Sequence, residues 1–136
     1  MADTVAAKRT AAVRRSARGD ELVQRTKAFA LRIINLAGAM PYRSRAAQVI
    51  AGQVTKCGTS VGAQYREARR ARSDAEFVSK LESSLQKLDE TTYWLELTAE
   101  AAIVPPRRLQ GLLNEAEQLT AILVASVRTV KRRRRH

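Results

Sequence analysis

The sequence predicts an all-α fold, an up-down-up-down antiparallel four-helix bundle, on three observations. Apolar residues recur in steps of three and four through four separate segments, the spacing of one helix face. Each segment is bounded by a proline or a capping serine. The composition is 45% hydrophobic but only 4% aromatic, with 6 glycines and 3 prolines in 136 residues, and Ala, Leu, Arg and Glu favour helix throughout. No strand alternation competes, and the length suits one domain with a single core.

The first helix is expected over about 21–40, where Leu22, Thr26, Phe29, Ile33, Leu36 and Met40 form the stripe and Pro41 ends it. Ser44 can cap a second helix over 44–71, striped by Ala47, Ile50, Val54, Cys57, Val61 and Tyr65. Ser73-Asp74-Ala75-Glu76 reads as a capping box for a third helix over 74–102. Its stripe is Phe77, Leu81, Ser84 or Leu85, Leu88, Thr92, Leu95 and Ala99, and Val104-Pro105-Pro106 stops it. The fourth helix, 105–130, opens on proline at its first turn and carries Leu109, Leu112, Ala116, Leu119, Leu123, Ser126 and Val130. Joined by short turns, four such helices bury their stripes only against one another. Residues 1–20 form a basic flexible arm in this reading, 21–130 the bundle, and 131–136 a basic tail.

The formal net charge is +12, and most of it lies in the ends. Residues 1–20 carry a net +3 and residues 128–136 a net +6, leaving +3 for everything between. Cationic ends on a nearly balanced body attract polyanions, because neutralised phosphates release condensed counterions. A merely solubilising tail is the plainer alternative.

One segment combines both themes. Lys56 to Ala71, K-C-G-T-S-V-G-A-Q-Y-R-E-A-R-R-A, sets Gly58 and Gly62 four apart in a helix and runs into Arg66, Arg69, Arg70 and Arg72. A helical glycine costs about 1 kcal/mol against alanine, so close packing by another backbone or a large ring is the expected compensation, with a local kink the alternative. Thr59 and Ser60 keep the strip small. Arg66, Arg69 and Arg70 share a face and read either as a phosphate or partner contact or as an ion-pair network in which Glu67 pairs with Arg70. Glu90 to Leu97, E-T-T-Y-W-L-E-L, crowds Tyr93, Trp94, Leu95 and Leu97 around the helix, so that some need a second covering surface. Subunit packing is the preferred explanation, with a groove between helices and base stacking the alternatives.

The string G-T-S-V-G-A-Q-Y-R-E-A-R-R-A, then F-V-x-K-L, then E-T-x-Y-W-L-E-L resembles the bacterial four-helix-bundle proteins encoded by intervening sequences within large-subunit ribosomal RNA genes, and their more divergent relatives, the Avd accessory proteins of diversity-generating retroelements. The resemblance covers about Phe29 to Val130. It implies a ring-like homopentamer without catalytic activity that presents basic surface, and the Avd branch binds nucleic acid and a reverse transcriptase. By position it carries Gly58, Thr59, Ser60, Gly62, Tyr65, Arg66, Glu67 and Arg70, with Glu90, Tyr93, Trp94 and Glu96, into helix packing and subunit contacts. The Arg-rich arm and the K-R-R-R-R-H end depart from the family pattern, so no role for them follows from the resemblance.

The inventory argues against chemistry. The one histidine, His136, is terminal, which excludes a di-iron bundle, and the lone cysteine and single histidine make no zinc-site spacing. No nucleophile and base spacing is recognisable. No cofactor is expected. Cys57, the lone cysteine, fits a reducing compartment and reads as a buried small side chain rather than a reactive thiol. No apolar run reaches the ~18 residues of a membrane span, and the location expected is cytoplasmic. The Arg-rich start has a composition that transit peptides and basic arms share.

Two functions follow as expectations. In the first, a homo-oligomer holds RNA or DNA backbone through Arg66, Arg69, Arg70, Arg72, Arg128, Lys131, Arg132, Arg133, Arg134 and Arg135, with an accessory role to a reverse transcriptase included in the expectation. In the second, a protein-protein scaffold uses the same basic surface to dock a partner protein.

Overall fold

A computed structural model describes residues 17–135. Most of the basic arm, residues 1–16, and His136 lie outside the described residues. Four helices follow one another: α1 Ala17–Gly38, α2 Arg45–Arg69, α3 Asp74–Glu100 and α4 Gln110–Arg135, with a 3₁₀ turn Pro106–Arg108 before the last. Sequential helices pack as neighbours and α1 closes the bundle on α4 through the sparsest of the four contacts. The α2–α3 seam is the most extensive.

Most of the expected stripes form the core. Leu22, Phe29, Ile33, Leu36 and Met40 are buried on α1, and Val54, Cys57, Val61 and Tyr65 on α2. Four positions shift by one residue. Ala51 is buried on α2 where Ile50 was expected, Thr91 and Thr98 are buried on α3 where Thr92 and Ala99 were expected, and Val127 replaces Ser126 on α4. A strict alternation of three and four averages 3.5 residues per turn and drifts against the 3.6 of a straight helix. The buried hydroxyls on α3 are satisfied: Thr91 Oγ1 donates to the Lys87 carbonyl and Thr98 Oγ1 to that of Trp94, both at 2.7 Å. Ser84 Oγ instead crosses the seam and donates to the Val61 carbonyl on α2 at 2.8 Å.

The helix starts follow local chemistry. Ser44 Oγ accepts from the Ala47 amide and Ser73 Oγ from the Glu76 amide, each at 3.1 Å. The capping box is displaced by one residue, because Glu76 Oε2 accepts from the Arg72 amide rather than from that of Ser73. The fourth helix does not begin at Pro105; the prolines support the 3₁₀ turn, and α-helix starts at Gln110. It then continues to Arg135, so residues 131–135 extend α4. Lys and Arg are good helix formers, and positive charge is favoured at a helix C-terminus.

The α3 C-terminus stores strain. The Ile103 amide donates to the Thr98 carbonyl and the Ala102 amide to that of Ala99, the paired bonds of a Schellman cap. That cap requires a left-handed residue, and Ala102 supplies it at φ 53°. The Cβ of alanine is disfavoured there. Ala102→Gly is therefore expected to raise stability by about 1 kcal/mol, read as a higher denaturant midpoint at unchanged m-value.

The thin α1–α4 seam has a polar clasp. Arg25 Nε and Nη2 donate to Glu115 Oε2 and Oε1 at 3.2 and 2.6 Å, and Nη2 also donates to Gln118 Oε1 at 3.1 Å. Both partners are largely shielded, with side chains 25% and 19% exposed. The hydrogen bond to Glu115 holds the Arg25 guanidinium above its ordinary pKa. Glu115→Ala removes a two-pronged, charge-assisted contact and is expected to cost about 1–2 kcal/mol, measured by urea unfolding.

Candidate nucleic-acid interface

The glycine strip is the joint between α1 and α2. A Cβ placed on Gly58 would lie 2.9 Å from Ile33 Cγ2, and one on Gly62 would lie 3.0 Å from Thr26 Oγ1. Both neighbours are fully buried members of the α1 stripe. The expected close approach is present, made by aliphatic and hydroxyl side chains of α1 rather than by an aromatic ring, and α2 runs through the glycines without a break. The flanking hydroxyls turn inward to their own helix, Thr59 Oγ1 donating to the Thr55 carbonyl and Ser60 Oγ to that of Lys56. Above the joint lies a groove of about 430 Å³ in which Thr59, Gly62, Ala63 and Arg66 face Val23, Lys27 and Ala30. Lys27 was not singled out from the sequence. Its signal is a second row on α1, Val23, Lys27 and Ala30 at steps of four and three beside the core stripe.

Cys57 and Tyr65 are buried on the same helix. Burial pushes the thiol and the phenol above their ordinary pKa values. Folding then favours the neutral forms. Their contribution to stability is whole below the unfolded thiol value of about 8.5 and is lost as pH rises through the folded values. The expected result is a denaturation midpoint that declines above about pH 9, with Cys57→Ala removing the earlier part of the decline.

The antiparallel topology carries the arginines to one end. There the start of α1, the end of α2, the start of α3 and the end of α4 meet, and ion pairs link neighbouring helices. Arg69 Nη2 bonds Asp20 Oδ1, Lys80 Nζ bonds Glu67 Oε2, and Lys131 Nζ bonds Glu82 Oε1, all at 2.8 Å. Glu67 thus reaches α3 instead of pairing with Arg70. These contacts sort the candidate cations. Arg69, its side chain only 18% exposed, and Lys131 are engaged between helices. Arg66, Arg70, Arg72, Arg128, Arg132 and Arg134 are exposed, and none pairs with a carboxylate among the described residues. Arg133 is half-buried, with Nη1 enclosed and without a hydrogen-bond partner among the described residues. Arg135 closes the helix. The motif arginines and the C-terminal run, some sixty residues apart in sequence, therefore lie at the same end of the bundle, on α2 and α4, which pack on α1 and α3 rather than on each other.

The second motif divides. Leu95 is fully buried, Trp94 is half-buried against the core, and Tyr93 is 55% exposed. The two rings meet edge to face at 5.3 Å. Glu90 pairs loosely with Lys87 at 3.7 Å. Leu31, Ile34 and Val49 add further exposed apolar side chains. No group of three His, Cys, Asp or Glu side chains that could hold a metal occurs among the described residues. None of their helices is long and apolar enough to cross a membrane.

Comparison with known proteins bears on this geometry. The sequence profile described as 23S rRNA-intervening sequence protein matches residues 20–125. A solved structure of a protein of unknown function from the S23 ribosomal protein family of Bacteroides thetaiotaomicron VPI-5482 superposes with a TM-score of 0.72 at 30% identity. That match covers 78% of this chain and 97% of the other. No curated protein matches.

Proposed function

The chain belongs to the 23S rRNA-intervening sequence protein family, and from that premise we propose that it is a non-catalytic homo-oligomer that binds nucleic acid through the basic end of its bundle. The observation that carries this is the gathering of exposed Arg66, Arg70 and Arg72 with Arg128, Arg132 and Arg134 at one end of the bundle, none of them paired with a carboxylate among the described residues. Phosphates are the complementary partner for such forks, and contacts to backbone carry little sequence preference. The partly buried Arg133 nitrogen that lacks an acceptor adds to the demand for an anion there. Exposed Leu31, Ile34, Val49 and Tyr93 support assembly of subunits, as a ring-like pentamer in the pattern of the resemblance. An accessory role beside a reverse transcriptase belongs to the same proposal.

The test is purification at low salt without nuclease, followed by sequencing of whatever nucleic acid accompanies the protein and by light scattering for assembly mass. Bound nucleic acid on an oligomer is the expected result. Clean protein would favour docking of a partner protein instead.

A further inference from the structure

We propose that the opposite end of the bundle is a second, separate site for single-stranded nucleic acid, so that one chain holds two segments of strand; this rests on the reading above. At that end the α1–α2 loop brings Arg43, the first turn of α2 brings Arg45, the 3₁₀ turn brings Arg107 and Arg108, and the last turns of α1 bring Arg32. All five are exposed. None forms an ion pair among the described residues, and Glu96 and Glu100 at the end of α3 do not reach them. At the other end Arg69, Lys80 and Lys131 are tied to carboxylates, so both ends offer unpaired arginines but only this one has no inter-helix ion pair among its described cations.

Two of these arginines converge. Arg32 and Arg108 line one groove of about 230 Å³ between α1 and α4, together with Asn35. The Arg32 guanidinium lies over Gly111, its Nη2 only 2.8 Å from where a Cβ at that position would stand. A glycine at Gly111 leaves the room that the guanidinium occupies. Like charges sharing a groove repel, and an anion between them removes the repulsion. A phosphate fits both forks, and Asn35 offers a further donor.

The loop also supplies a ring. Tyr42 is 76% exposed, with the Arg43 guanidinium 5.7 Å from the ring centre and Arg43 Nε donating to the Tyr42 hydroxyl at 3.2 Å. An exposed aromatic face beside unpaired arginines is the pairing that stacks a base and holds its phosphate. Duplex, whose bases are already stacked, would not use it. At 26 residues α4 spans roughly 39 Å, so the two ends cannot share one phosphate cluster.

The experiment uses the full chain and a uridine oligonucleotide of about 12 residues bearing 4-thiouridine, a length that fills one single-strand site. Photocross-linking should label the peptide containing Tyr42 as well as peptides from the other end. Arg32→Gln with Arg43→Gln, Arg45→Gln, Arg107→Gln and Arg108→Gln should abolish the Tyr42 cross-link, halve the oligonucleotide bound at saturation and leave the other cross-links in place. Tyr42→Ala should weaken this site about tenfold while Tyr42→Phe retains it. Cross-links confined to the Arg66 and Arg128 end, with saturation unchanged in the five-site variant, would overturn the proposal and leave the first function standing. Absence of any binding would overturn both. All six positions are exposed, and an unchanged thermal midpoint confirms that folding is intact.

Discussion

Gly58→Leu is expected to destabilise the bundle by about 3 kcal/mol or more. Its Cβ alone would meet Ile33 at 2.9 and 3.0 Å, and Ile33 is fully buried in the core. The larger side chain must therefore push α1 off α2 or turn into the core. Gly58→Ala sets two effects against each other, a helix-propensity gain of about 1 kcal/mol and the cost of crowding a buried isoleucine. Crowding wins, and a net loss of about 1 kcal/mol is expected. Gly52, on the same helix, is the control. A Cβ there meets nothing within 4 Å, so Gly52→Ala should stabilise by about 0.5–1 kcal/mol. Urea unfolding of the three variants separates a packing role from a generic dislike of alanine in α2.

Simultaneous replacement of Arg66, Arg70, Arg72, Arg128, Arg132 and Arg134 by glutamine is expected to lower affinity for duplex nucleic acid by about a thousandfold at moderate salt. Each is exposed and without a carboxylate partner, so stability should change little. Truncation would confuse the result. Val130 is fully buried and Val127 nearly so, and deleting from Arg128 onward removes core along with charge. Arg69→Gln provides the internal contrast, since it breaks the bond to Asp20 and should affect stability more than binding.

The four helices were legible because each stripe repeats over several turns and each end carries its own chemistry. The strip at Gly58 and Gly62 was legible as a close approach, but not its partner. Ile33 and Thr26 look like any other core positions until α1 is laid on α2. The buried row of α3 was read one residue off at Thr92 and Ala99 because threonine and alanine neighbours offer no contrast in hydrophobicity. The contact of Ser84 with Val61 and the helix twist decide the matter. Charge was the least legible property. Arg66, Arg69 and Arg70 are alike in sequence, and only the register that brings Asp20 to Arg69 separates them. The apparent balance of the middle of the chain likewise hides arginines gathered at both ends of the bundle, since loops far apart in sequence meet only after folding.

The basic end is the central claim, and the salt dependence of binding tests it most directly. With about six to nine phosphates neutralised on a duplex, log K for the full chain should fall with log salt at a slope of roughly −5 to −8. The six-arginine variant should bring the slope several units closer to zero. A shallow slope in the unaltered protein, or a steep one that survives loss of all six arginines, would contradict the account.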